Sequence, residues 1–228
     1  MAESNEPGET KRPYDARRRR ERADEQRRGT RNRVIDAATR LFTDKGYIAT
    51  TMTDIAREAG VAMHSVYSAG KSKSDLLIVA VERAVAGDDQ DLYVHERPSW
   101  TSVRDEPDPM RQMELIAAAL CEVQERSASI QAAFRQAAAV DPAVAEILQA
   151  AHRRRLETIG VLIRMVPEQH LRRSYADSTD TAWALASTDV WLLLRHNRGW
   201  STKRIRAWIA RTLTETLLAP ASRDKPPR

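Results

Sequence analysis

Histidine, cysteine and hydroxyl side chains are where chemistry could begin in this 228-residue sequence. The five histidines, at 64, 95, 152, 170 and 196, include no His-Glu-x-x-His spacing, which would place two imidazoles on one helix face around a zinc ion. A single cysteine, Cys121, excludes an intrachain disulfide and any thiolate zinc site. Within its apolar run it reads as a reduced, partly buried core thiol. Ser65 beside His64 lacks the oriented acid that would make it a nucleophile. Gly70-Lys71-Ser72 ends like a phosphate-binding loop, but such a loop needs a preceding strand and a glycine where Ser65 stands. No catalytic group, metal site or cofactor is expected, and the chain reads as a protein that is not an enzyme.

What remains is the hydrogen-bonding chemistry of Thr50 to Gly70, TTMTDIAREAGVAMHSVYSAG. Two short helices that cross steeply need a small residue at the crossing and a glycine in the turn. Ala56 and Gly60, four apart, meet both needs. Ile55, Val61 and Val66 would fill the small core between them. Thr51 is placed to cap the first helix, with Asp54 as an acid in its first turn. Met63, His64, Ser65 and Ser68 on the second helix are then free to meet base edges in a major groove.

These residues resemble the TetR family of transcriptional regulators. The matching words are VIDAATRLFTDKGYIATTMTDIAREAGV, then VY, then KSKSDLL, over about residues 31–80. The end of the chain, LASTDVWLLLRHNRGWSTKRIRAWIARTLTETLL, is similar to the last two helices of many such regulators. The resemblance implies phosphate contacts from Tyr67, Lys73 and Thr51, the last through its backbone N–H or hydroxyl. It implies base or groove contacts from Thr53, Met63, His64, Ser65 and Ser68, and a backbone contact or a solvated role for Arg57. It also implies a homodimer in which the last two helices pair with their copies, through Trp183, Leu185, Val190, Leu192, Leu193, Ile205, Trp208, Ile209, Leu213 and Leu217. Three positions depart from the family pattern, among them His64, where a small residue or proline is common. Gly70 stands where a phenylalanine is usual, which would give a left-handed stop and remove a buried ring. Ala62 stands where the recognition helix usually has a hydroxyl cap.

The elements that must position these residues are helical. Ala, Arg, Leu and Glu recur, glycine and aromatics are scarce, and few windows alternate as strands do. The fold class is all-α: a three-helix helix-turn-helix head and a larger ligand-binding and dimerisation domain, about nine helices in all. Residues 1–30 read as an Arg-rich arm, disordered or fraying into helix, and 31–87 as the head, with the motif at about 51–70. Residues 88–108 read as an acidic linker pinned by Tyr93 and Trp100. Residues 109–219 form the body, with helices at 110–126, 129–140, 142–165, 177–196 and 201–218, and 220–228 a loose tail. Asp141-Pro142 is a strong helix start.

Charge is distributed unevenly. Residues 11–33 carry eleven basic groups against four acidic ones, while 34–87 balance six against six. The head alone would attract a polyanion weakly, so the arm is expected to supply that attraction along the DNA backbone or in the minor groove. The longest apolar run, Leu115–Cys121, is too short for a bilayer, and no secretory signal is seen, so a cytoplasmic protein without membrane contact is expected. Among the body helices, Met113, Ile116, Ala117, Leu120, Cys121, Gln124, Phe134 and His152 are candidates to line a pocket for a small apolar effector. His152-Arg153-Arg154-Arg155 reads as a solvated helix face or else a second nucleic-acid or subunit contact, with His152 able to turn inward. The expected function is that of a regulator, in the first place a repressor, released from a pseudo-palindromic duplex operator by an effector. The alternative is a helical interaction protein with a degenerate head.

Overall fold

The computed structural model describes residues 16–87 and 98–220. The described residues form ten α-helices and no strand, only an isolated antiparallel bridge between Leu171 and Leu218. The first helix, α1 (Ala16–Asp44), has two halves of different character. Val34, Ile35, Ala37, Ala38, Leu41 and Phe42 are buried at helical spacing in the second half. Residues 18–29 are exposed, and helix-forming Arg, Ala, Glu and Gln with the Asp24–Arg27 ion pair hold that half. Of the two readings of the arm, disorder is therefore corrected for 16–30, which are helical; residues 1–15 lie outside the described part.

Three short helices complete the head: α2 (Met52–Ala59), α3 (Met63–Ala69) and α4 (Lys73–Ala86). Lys73 reaches the Tyr47 carbonyl and Arg83 pairs with Asp36, so α4 runs antiparallel to the second half of α1. A short helix, α5 (Pro98–Asp105), occupies part of the predicted acidic linker. It inserts Trp100 and Val103 into the body core, as Trp100 was expected to do; Tyr93 lies outside the described residues.

The body is organised by α6 (Pro109–Ala138), one unbroken helix where two were expected. The predicted break fell on Ser127 and Ala128. Ser127 is instead buried, with its hydroxyl bonded back to the Val123 carbonyl at 2.6 Å, so the helix runs on. At about 1.5 Å per residue α6 is a rod roughly 45 Å long. Met113, Ile116, Ala117, Cys121 and Ala128 belong to the body core, and Ile130, Ala133, Phe134 and Ala137 to the head core. One helix thus passes through both cores.

Next come α7 (Pro142–Arg164), α8 (Tyr175–Leu185), α9 (Thr188–Leu192), a π-helical turn (Leu193–Asn197) and α10 (Thr202–Leu217). Asp141 caps α7 through the N–H of Ala143 at 3.1 Å, as its position before Pro142 predicts. The helix expected over 177–196 is broken at Ala186–Ser187. The last helix also differs from expectation in what it faces. Ile205, Ile209 and Leu213 are buried within the monomer against α6, so they have no surface left for a second copy. Trp183, Leu185, Val190, Leu192 and Trp208 are half-buried, Leu193 is 55% exposed, and Leu217 is buried.

Candidate nucleic-acid interface

The exposed end of the head is built by helix caps. Thr51 accepts the N–H of Asp54 at 3.1 Å, and Asp54 accepts the Thr51 N–H at 3.2 Å and its hydroxyl at 2.8 Å. This reciprocal box holds the Asp54 carboxyl below its ordinary range, through the Thr51 hydroxyl and backbone bonds first and the neighbouring Arg57 and Lys45 charges after. It also engages both donors that Thr51 was expected to offer to phosphate. The N–H groups of Met52 and Thr53 are left without a partner among the described residues. Arg57 is ion-paired with Asp54 and still largely exposed.

Gly60 ends α2 in the left-handed region at φ +62°, its N–H meeting the carbonyls of Ala56 and Arg57. Ile55, Ala56, Ala59, Val66 and Ala69 are buried in one core with α1 and α4, and Val61 packs on it. Ala62 starts α3 with no side-chain cap. Removing a hydroxyl at such a site costs about 1 kcal/mol.

Gly70 corrects one expectation. Its φ of −164° is extended backbone, not a left-handed stop. A Cβ there would stand 2.8 Å from Leu76 Cδ2 and 3.1 Å from the Leu76 nitrogen. Leu76, itself fully buried, thus occupies the space beside Gly70, and the glycine is required by that close approach.

His64, Tyr67 and Ser68 of α3 and Thr53 of α2 are exposed, Tyr67 at 52%. Ser68 bonds back to the His64 carbonyl at 2.8 Å, and Ser65 lies 3.3 Å from His64 Nε2. Met63 and Ser65 are half-buried, with Met63 packed on the head core, so neither is free in the way its position suggested. Lys73 opens α4, which Ser72 and Asp75 cap with a second reciprocal box. Its ammonium donates to the Tyr47 carbonyl at 2.9 Å and lies 4.2 Å from that ring's centre. Burial there pulls it below its ordinary range, so a phosphate would have to draw it off Tyr47.

The eight effector candidates do not converge on one place. Met113, Ile116, Ala117 and Cys121 are body core, with Leu120 at its edge; burial pushes the Cys121 thiol up to about 12, an unreactive group. Phe134 belongs to the head core instead. His152 is exposed, its ring edge-on to Trp183 with centroids 6.2 Å apart. Gln124 is buried at the α8–α9 break, donating to the Ala186 carbonyl at 2.7 Å and accepting from Thr188 at 3.2 Å.

Sequence reasoning missed two arginines. Arg126 of α6 donates to the carbonyls of Ala84 and Val85 at 3.0 and 2.7 Å and so caps α4. Arg155 of α7 donates to the Trp183 carbonyl at 2.6 Å. For the break, a signal did exist: Gln124, Ser127 and Gln131 form a polar stripe at helical spacing in an otherwise apolar helix.

Residues 34–80 match the model of the bacterial regulatory proteins of the tetR family. The regulator HbdR of Aromatoleum sp. (strain CIB) is 37% identical over 68 residues, 30% of this chain and 28% of that protein. The match therefore spans little more than a quarter of that relative's length. A transcriptional regulator of Saccharomonospora viridis, solved with choline, superposes with a TM-score of 0.63 at 22% identity, over 83% of this chain and 98% of that one. NalD of Pseudomonas aeruginosa, the secondary repressor of an efflux pump, superposes at 0.64 and 21%, over 87% and 100%. These structures share the fold across head and body, while the sequence signature lies in the head. Residues 34–80 thus carry the signature of the tetR family of bacterial regulatory proteins, and the chain as a whole shares the fold of these solved regulators.

Proposed function

We propose that this chain is a sequence-specific DNA-binding transcriptional regulator, a repressor that acts as a homodimer and leaves its operator when a small molecule binds the body. The observation that carries the reading is the exposed row His64, Tyr67 and Ser68 on α3, presented by a head with a closed core. A recognition helix of this kind reads base edges while neighbouring helix ends grip phosphate. The second subunit would meet the half-exposed face of α8–α9 and α10 that carries Val190, Leu193 and Trp208, rather than the buried row of α10. The Saccharomonospora viridis regulator, which shares the fold, holds choline, which supports a small-molecule role for the body. An effector lowers DNA affinity only by preferring the arrangement in which the two heads are misplaced. The alternative of a degenerate head rests on Gly70, Ala62 and His64, and of these the close packing of Leu76 supports reading Gly70 as a built feature of the turn.

The test is a titration of the purified chain against the duplex flanking its own gene, with excess random competitor. The reading expects a protected inverted repeat and a dimer in solution. Tyr67→Ala should weaken specific binding at least tenfold, about 1.4 kcal/mol, while leaving the melting temperature in place. A strictly monomeric protein with no preference over competitor would overturn it.

A further inference from the structure

Arg155 sits where α6, α7, α8 and α9 meet. Its guanidinium lies 5.0 Å from the centre of the Trp183 ring, with one nitrogen on the Trp183 carbonyl. That is one bond from a group with five N–H donors. Among the described residues no carboxylate forms an ion pair with it: Asp189, the acid nearest in influence, is paired with Arg135. His152 stands against the same Trp183 ring, and Trp183 Nε1 is buried with no partner among the described residues. Burial drives Arg155 down to about 10, and burial together with Arg155 and Arg135 lowers His152. Burial is the first cause of both, and Asp189 offsets it only in part, so a further anion would be favoured there.

We propose that this junction is the binding site for the carboxylate of a small organic acid, held by the free edge of Arg155 with His152 beside it. The charge count favours a monoanion. With His152 neutral, two arginines face one aspartate, which leaves a single positive charge to balance. A dianionic phosphate would be over-charged for the site and lacks an apolar body to lie along Trp183. A planar carboxylate matches the guanidinium fork in two parallel hydrogen bonds. The inference deepens the effector part of the proposed function and rests on it only for any consequence at DNA; the site itself is testable with no DNA present.

The experiment uses the full chain, without DNA, at constant ionic strength. Melting temperature and tryptophan fluorescence are followed against benzoate and hexanoate, with benzamide, hexanamide and inorganic phosphate as comparators. At least one acid should give a saturable rise that its amide and phosphate do not. Arg155→Met, which keeps a stem over Trp183, should weaken that response about tenfold or more, and Arg155→Lys less. If Arg155→Met does not fold, exposed His152→Ala replaces it and should weaken the response several-fold. The site is refuted by no saturable response to either acid, by an equal response to amide or phosphate, or by variants that respond like the parent. Because operator binding is measured separately, a chain that binds acid but no operator, or the reverse, tells which idea failed.

Discussion

Head and body both have to stop helices, and they use different materials. In the head most stops are local: Thr51 with Asp54, Gly60, and Ser72 with Asp75 each close a helix end within four residues, and only the end of α4 is also held from afar, by Arg126. In the body the break between α8 and α9 is held from far away in the chain. Gln124 takes the Ala186 carbonyl, Arg155 takes the Trp183 carbonyl, and Thr188 donates to Gln131 at 2.9 Å. Ser187 adds one local cap, accepting the Val190 N–H at 3.2 Å. A local stop survives whatever the rest of the chain does. A distant one exists only when α6, α7 and α8 are already packed, so the break depends on the fold that contains it.

The largest effect should come from the close contact that makes the head's turn possible. Leu76→Ala should cost about 2–5 kcal/mol in urea unfolding, since it empties a fully buried site. Gly70→Ala alone should cost about 1–3 kcal/mol by driving a methyl into Leu76. The two together should cost clearly less than their sum, because the alanine methyl fills space that the leucine vacated. Strict additivity would show that Gly70 and Leu76 do not share that space.

The same contrast decides what could be read from the residues alone. Caps and glycine turns announce themselves by type and spacing, so α2, the Gly60 turn and the Asp141-Pro142 start stand where the residues put them. The 3.6-residue period likewise gave the buried row of α1. It could not say whether Ile205, Ile209 and Leu213 face their own subunit or another, because an apolar stripe has the same pattern in both settings. Nor could it keep α6 whole through Ser127, whose hydroxyl satisfies itself within the helix. Arg155 lay inside a basic run that a solvated helix face would also show. Only the position of Trp183, 28 residues on, separates it from Arg153 and Arg154, which are exposed.

A smaller effect is expected from the distant stop. Thr188→Val keeps the shape but removes the one hydroxyl proton that Gln124 and Gln131 share, leaving an amide oxygen to find a new donor. The cost should be about 1–3 kcal/mol, and hydrogen exchange should quicken first at α8–α9, not in the head. Exchange that quickened equally in α2 and α3 would mean that the stop is not particular to the body.

The smallest effect on stability belongs to the basic half of α1, and there the contrast turns from folding to binding. Residues 18–29 are exposed, so removing 1–28 should change the unfolding free energy by no more than about 0.5 kcal/mol. DNA is another matter if the arm supplies charge that the evenly balanced head lacks. Because α1 runs antiparallel to α4, this half leaves the head beyond the Asp36–Arg83 pair, away from Lys73. Any phosphates it neutralises are then additional to those within reach of Tyr67 and Lys73. Each would add about 0.9 to the slope of log affinity against log salt. The truncated chain should therefore keep its preference for the operator but bind more weakly at low salt, with a shallower slope. The same slope in both chains would assign the arginines to solvent, and the head would have to attract DNA unaided.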